Sequence, residues 1–208
     1  MVGYVYSMMY MKSLLVLLLL LFPFSMFSQT NSDVYSYHKE ITSGSEFGSS
    51  SGSFKFKNDG YIFIEGDYSD SLYLELLKIV SELNELIDPI QFYITDKKDS
   101  SNIQIYCGDS KDYAKKYSFS KSEIVNAWGL AFMFTNNDLI EMSLIFIDTK
   151  RTWDDDQRKD ILREELTQAL GFGQDSYLYP NSVFYQGPTE ITQYSDIDKE
   201  IIKLHYNE

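Results

Sequence analysis

The chain has 208 residues and a formal net charge of −13 at pH 7, with 31 acidic residues against 18 Lys and Arg. That charge argues against nucleic acid and anionic membrane surfaces as partners, because both repel an acidic protein. An apolar content of 44% and an aromatic content of 16% exclude a largely disordered chain, and the length suits one folded domain.

The amino terminus has the pattern of a secretory signal, in which Lys12 precedes a short apolar run, Leu14 to Phe22. The run is too short to span a membrane comfortably, and no cysteine follows it for a lipid anchor. We expect residues 1–28 to be a signal peptide, starting at Met1 or Met11, that directs export to the periplasm or the extracellular space. An uncleaved amino-terminal anchor is the alternative, and after cleavage we expect no membrane association.

Residues 29–53 are rich in Ser, Gly and Asn, and we expect a flexible lead-in there. A folded domain is predicted over residues 54–208, where apolar periodicity and turn residues delimit the elements. In chain order these are a strand at 61–65, a helix from 69 or 70 to about 88, strands at 90–95 and 103–107, a short polar helix or loop at 110–121, a hairpin of strands at 127–135 and 140–148, a central helix capped by Thr152, and a last helix at 195–206.

The central helix and the turn after it, Ile161 to Asp175, contain the most specific pattern. Their spacing matches the zinc-protease motif H-E-x-x-H-x-x-G-x-x-H, but Glu164, Gln168 and Gln174 stand at the three histidine positions. Side chains four residues apart lie on one face of a helix, so this spacing directs the first two towards one point.

Two further residues of this stretch match the motif. Glu165 stands at the position of the catalytic glutamate and falls within the apolar face of the predicted helix. Gly171 stands at the position of the glycine, where a positive φ would end the helix. We expect the chain to reverse at Gly171 and to bring residues 174 and 175 back towards the face that carries Glu164 and Gln168.

Together with the order of elements, this stretch resembles the catalytic domain of metzincins, in particular the matrixin-like branch. Asp175 directly follows the third ligand position, and Ser182 to Tyr185 is similar to the family's methionine turn, with Phe184 at the methionine position. Residues 194–206 resemble its closing helix. The resemblance implies an α+β domain: a mixed twisted sheet of about five strands with a backing helix, an active-site-type helix and a C-terminal helix.

A second resemblance rests on R-E-E-L-T-Q-A-L-G, residues 163–171, which is similar to an uncharacterised family of exported bacterial domains of unknown function. It implies a bacterial protein in which the exchange of the zinc ligands is a family feature rather than a sequencing error.

The metal-binding residue types are scarce. His38 and His205 are the only histidines, so a three-histidine zinc site is impossible. One carboxylate and two amides are poor zinc ligands, and calcium or magnesium would need further oxygens, of which Asp175 could add one. We expect no zinc and no other cofactor, a packing or surface role for His205, no catalytic role for His38 in the lead-in, and a small buried apolar role for the single Cys107.

Glu165 decides between the possible functions. Zinc lowers the pKa of bound water by roughly nine units, worth about 12 kcal/mol, and a lone glutamate cannot replace that activation. We therefore expect a buried, hydrogen-bonded Glu165 that holds the helix to the sheet, in a non-catalytic pseudo-protease that binds peptide or protein in its cleft.

Two alternatives remain open. One is a peptidase-like hydrolase that uses Glu164 and Glu165, with or without a hard metal. Adjacent carboxylates on a helix point about 100° apart, which weakens this alternative. The other is a structural or interaction domain with an incidental cleft. The strand at 127–135 is apolar on both faces, and we expect it to be covered by a loop or paired with an extended partner chain.

The first prediction concerns zinc. We expect the mature protein, purified without a histidine tag, to contain far less than one zinc per chain, because none of the three ligand positions carries histidine. Elemental analysis of the purified protein checks this. One zinc per chain that is lost on changing Glu164 and Gln168 to alanine would contradict the prediction.

Overall fold

The computed structural model describes residues 31–43, 53–117, 124, 127–151 and 154–207. Its elements, in chain order, are α1 (Asn31–Thr42), β1 (Gly60–Gly66), α2 (Asp70–Leu86), β2 (Phe92–Ile94), a 3-10 helix (Lys98–Ser100), β3 (Ile103–Gly108), α3 (Ser110–Tyr117), β4 (Gly129–Asn136), β5 (Leu139–Asp148), α4 (Asp155–Gln168) and α5 (Asp196–Asn207). No helix in the described ranges is long and apolar enough to cross a bilayer. The predicted signal peptide lies outside them.

The described strands form one mixed sheet of five, in the order β2-β1-β3-β5-β4. Neighbours are parallel except β4, which runs antiparallel to β5 at the sheet edge. A tight turn joins β4 to β5, with φ of 49° at Asn137 and 63° at Asp138, a left-handed conformation that Asn and Asp tolerate well in hairpins. The predicted α+β class, the mixed sheet and the hairpin are confirmed.

Alternation along the strands gives each face of the sheet its own apolar cluster. The larger cluster joins the sheet to α2 and α4 through isoleucines of β1, β3 and β5 (Ile62, Ile64, Ile103, Ile105, Ile145 and Ile147). The smaller cluster contains Tyr113 of α3 with Leu130 and Phe146 of the sheet. Each buried aliphatic side chain contributes roughly 1.5–3 kcal/mol. Cys107 belongs to the larger cluster, as predicted, and burial raises the pKa of its thiol to about 12, which keeps it protonated and unreactive.

Side chains cap the two helices that lie against the larger cluster. Ser69 caps α2, and its Oγ accepts a hydrogen bond from the Leu72 N–H at 3.1 Å. Asp154 caps α4, and its carboxylate accepts from the Gln157 N–H at 2.8 Å. The predicted cap of α4, Thr152, lies outside the described residues. Aspartate suits this position because its negative charge also meets the positive end of the helix dipole.

The structure differs from the sequence prediction in the segment 29–53, which we expected to be a flexible lead-in. Helix α1 occupies Asn31–Thr42, and its Tyr37 and Ile41 are buried in the larger cluster. These two residues are four apart and share one helix face. The Ser- and Gly-rich surroundings concealed this short apolar face, so flexibility is the wrong expectation for residues 31–43.

Arg163 connects α4 to α2 inside the protein. Its side chain is 0% exposed, and its guanidinium donates to Glu75 (Nε to Oε1, 3.1 Å) and also pairs with Glu82. The guanidinium carbon lies 4.7 Å from the ring centroid of Tyr194. The buried charge is tolerated because two carboxylates and an aromatic face replace the water that it loses on folding.

A second prediction tests this ion pair. Arg163→Met should lower the free energy of unfolding by about 3–5 kcal/mol, because it leaves the Glu75 carboxylate buried without its cation. Chemical denaturation of the purified protein measures the loss. Arg158→Met on the same helix is the matched control and should cost less than about 1 kcal/mol, because Arg158 forms an ion pair with the exposed Asp155.

Combining Arg163→Met with Glu75→Leu should restore much of the stability, because both buried charges are then absent. Equal losses in Arg163→Met and Arg158→Met would show that the buried pair does not hold the two helices together.

Candidate functional site

Glu165 lies where α4 meets the edge strand β4. Its side chain is 8% exposed, so the predicted burial is confirmed. A Cβ added at Gly129 of β4 would lie 2.4 Å from a carboxylate oxygen of Glu165 and 2.5 Å from Ile161, so glycine is what allows this close approach. On the other side of the sheet, the pKa of the Tyr113 hydroxyl is raised. Burial is the main cause, and electrostatic interactions with Tyr117 and Glu165 add to the rise.

The chain reverses after α4, as predicted. Gly171 has a φ of +117°, and a Cβ there would lie 1.9 Å from the carbonyl oxygen of Phe54, which excludes every side chain at this position. The reversal returns Asp175 to α4, where Nε2 of the buried Gln168 donates to Oδ1 of Asp175 at 2.6 Å. The structure therefore brings together Gln168 and Asp175 from the set of predicted site residues.

The donors at the three ligand positions do not fit zinc. The Gln168 amide is hydrogen-bonded to Asp175, Glu164 is half-buried on α4, and the Gln174 N–H donates to the Ile41 carbonyl of α1 at 3.1 Å. Carboxylate and amide oxygens without imidazole or thiolate are a weak zinc set. Within the described ranges, no three His, Cys, Asp or Glu are grouped so that they could hold a metal ion.

The segment that resembles a methionine turn forms a closed loop beside the Gly171 turn. The Ser176 N–H donates to the Phe184 carbonyl at 2.8 Å, and the Gln186 N–H donates back to Ser176 at 3.0 Å. Phe184 is fully buried, with its ring centroid 5.3 Å from that of Phe172. Tyr185 is half-buried beside the exposed Tyr177. The buried ring of Phe184 thus packs against Phe172, which directly follows Gly171, and Tyr185 lies at the surface.

A buried polar network that was not predicted from the sequence joins this loop to α1 and α5. Asp198 of α5 accepts from Ser182 Oγ at 2.6 Å and from the Ser195 N–H and hydroxyl at 2.9 and 2.7 Å. Ser182 Oγ also lies 2.8 Å from the Tyr37 hydroxyl of α1. Burial raises the pKa of Asp198, although these hydrogen bonds partly oppose the rise. The S-x-x-D pattern at 195–198 is a capping box and could have indicated this site.

The two histidines of the chain meet between α1 and α5. His38 Nε2 and His205 Nδ1 are 3.1 Å apart, and His205 Nε2 is 2.8 Å from the carbonyl oxygen of Phe54. A carbonyl can only accept, so Nε2 of His205 carries the proton, and Nδ1 accepts from His38. Burial chiefly lowers the pKa of His205, from 6.5 to about 4. The predicted packing role fits the buried His205, whereas the pairing with His38 was not foreseen.

A third prediction follows from the pKa of His205. The unfolded chain takes up a proton at this residue below about pH 6.5, whereas the folded chain leaves it neutral until about pH 4. Falling pH therefore favours the unfolded state, and the folded protein loses about 2 kcal/mol of stability through His205 between pH 7 and pH 5. Denaturation curves at both pH values measure the loss.

His205→Gln does not titrate in this range, so its loss between pH 7 and pH 5 should be smaller than that of the unchanged protein by this amount. His38→Gln is the control and should keep most of the pH-dependent loss. If His205→Gln lost as much stability as the unchanged protein, His205 would not be the group responsible.

A family model described as "Protein of unknown function (DUF2927)" matches residues 31–208, and the match starts at the first residue of α1. No curated protein matches the chain. A crystal structure of myroilysin is similar over 81% of this chain and 95% of its own, with 10% identity and a TM-score of 0.46. A second structure of myroilysin covers 74% of this chain and 95% of its own, with 10% identity and a TM-score of 0.47. The family match spans most of the sequence, and the chain belongs to the DUF2927 family.

Proposed function

We propose that this chain is an exported, metzincin-like pseudo-protease that binds an extended peptide along β4 without cutting it. The role needs no zinc, no other cofactor and no nucleic acid. The observation that carries the proposal is the position of β4, which forms the outer edge of the sheet beside the helix that bears Glu165.

The direction of the backbone groups of β4 supports this role. The Asp148 N–H donates to the Trp128 carbonyl at 2.7 Å, which makes these two residues a hydrogen-bonded pair. Such pairs alternate along an antiparallel ladder. Gly129, Ala131 and Met133 therefore direct their N–H and C=O groups away from β5. No strand in the described part of the chain pairs with that side of β4.

The surface around this edge is apolar. Trp128 and Phe134 are 46% and 47% exposed, and Ala131, Phe132 and Met133 are half-buried. A peptide added as a sixth strand would gain main-chain hydrogen bonds of about 0.5–1.5 kcal/mol each. Its alternate side chains would cover the apolar residues, so that both affinity and side-chain preference would come from one edge.

Two observations favour binding over catalysis. The ligand positions carry donors that do not fit zinc, so water at this site lacks an activation worth about 12 kcal/mol. Glu165 is buried against Gly129, which supports a role in holding α4 to β4. A peptidase-like hydrolase is the second candidate, and the half-buried Glu164 beside Glu165 is the observation that favours it.

A fourth prediction tests the edge. The mature protein, incubated with a defined library of capped octapeptides and then recovered, should retain intact peptides. Ala131→Pro removes an outward N–H without removing a bond to β5, and should weaken capture about tenfold. Ala131→Val adds similar bulk but keeps the N–H, and should bind as the unchanged protein does. Mass spectrometry of the bound fraction measures both.

The alternatives give different results in the same experiment. Peptide fragments whose formation stops in Glu165→Gln would favour the hydrolase. Equal capture by Ala131→Pro and the unchanged protein would exclude the edge as the binding surface, whatever the fate of the peptides.

A further inference from the structure

We propose that a groove at the opposite edge of the sheet is a second binding site, which takes the cationic side chain of Lys or Arg in an extended peptide. The groove has a volume of about 1000 Å³ and lies between the first half of α2 and strand β2. It contains none of the residues of the candidate site on α4 and does not depend on the function proposed for β4.

The walls of the groove are aromatic. The aromatic lining consists of Phe63, Tyr68, Tyr73, Phe92 and Tyr93, and the ammonium of Lys98 lies 5.9 Å from the ring centroid of Phe63. The rings of Tyr68 and Tyr73 are stacked, with centroids 6.2 Å apart and planes 25° apart. Tyr68 and Tyr93 remain 38% and 47% exposed. Exposed aromatic faces attract cations through their negative π surface, more strongly where the cation loses part of its water.

Two carboxylates, Asp70 and Asp96, also line the groove. In the described part of the chain neither of them forms an ion pair, whereas the nearby Glu65 and Asp67 are both paired with lysines. Unpaired acids among tyrosines create a negative potential that favours a cation and repels an anion. An apolar ligand would bury the same carboxylates without a partner, which is unfavourable.

The backbone of β2 indicates that the cation belongs to a peptide. The Gly60 N–H donates to Gln91, and the Thr95 N–H donates to Ile62, both at 2.9 Å. In a parallel ladder with this register, Tyr93 faces β1, and Phe92 and Ile94 direct their N–H and C=O groups outwards.

The two outward positions of β2 differ in their hydrogen bonding. The Asn84 side chain accepts from the Phe92 N–H at 2.7 Å and donates to its carbonyl at 2.9 Å, so that position is already bonded. Ile94 lines the groove. One peptide residue could pair with Ile94 while a neighbouring Lys or Arg side chain reaches the tyrosines and the two carboxylates.

The test uses two peptides, acetyl-Val-Lys-Val-Lys-Val-amide and the same peptide with both lysines acetylated. Each is titrated into the isotopically labelled mature protein, and backbone amide signals are followed by nuclear magnetic resonance. We expect the lysine peptide to shift the Ile94 amide signal in a saturable way, with at least tenfold tighter binding than the acetylated peptide. Asp96→Asn should weaken the lysine peptide at least threefold.

Asp196→Asn is the matched control, because it makes the same charge change at a side chain that is fully exposed on α5, away from the groove. It should leave binding unchanged. Equal weakening by Asp196→Asn and Asp96→Asn would reduce the effect to general attraction by an acidic protein and overturn the proposal.

Three other results would also overturn it: equal binding of the acetylated peptide, no saturable shift at Ile94, or shifts confined to Ala131 and its neighbours on β4. The last result would assign the peptide to the edge of β4, so failure of the groove can be distinguished from failure of the function proposed for β4. Circular dichroism of Asp96→Asn verifies that the variant is folded.

Discussion

The burial of a strongly polar helix is the constraint on which this structure depends. α4 carries Asp160, Arg163, Glu165, Thr167 and Gln168 in the protein interior, and each of these groups needs a polar partner to replace water. Arg163 faces α2, and Glu165, about 200° further round the helix, faces β4. The positions of these two side chains together fix the rotation of α4 about its axis, and they thereby decide which side chains border the sheet edge.

The sequence predicted those features that depend only on residues close together in the chain. Apolar positions at helical spacing after a serine cap were enough to predict α2, and Gly171 predicted the chain reversal because a positive φ there requires glycine. The partners of Arg163 lie 88 and 81 residues away, and the two histidines are 167 residues apart. No local pattern specifies such a pair, which is why the interior contacts of α4 and α5 were not foreseen. α1 was missed for a different reason, since its apolar face consists of few residues in a serine-rich segment.

The two edges of the sheet are terminated in different ways. At β2 the Asn84 amide forms both hydrogen bonds that a neighbouring strand would form with the Phe92 backbone, so that only a short stretch of unpaired backbone remains. At β4 no described strand pairs with the alternate outward positions Gly129, Ala131 and Met133, and a register irregularity between Phe134 and Thr135 interrupts a ladder that continues to Asn136. Irregular pairing and side-chain caps both limit edge-to-edge association of folded copies. The sheet is therefore capped at β2 by a side chain, whereas at β4 only a register irregularity interrupts an otherwise open edge.

The contact between α1 and α5 has a consequence for the order in which the domain folds. Tyr37 and His38 of the first described helix are bonded to Ser182 and His205, near the other end of the chain. A ribosome synthesises α1 first and its partners last, so α1 has no docking surface until nearly the whole domain has been made. During synthesis α1 thus stays undocked and accessible to any machinery that acts on unfolded polypeptides. This accessibility ends when α5, which carries His205, has been made and α1 can dock.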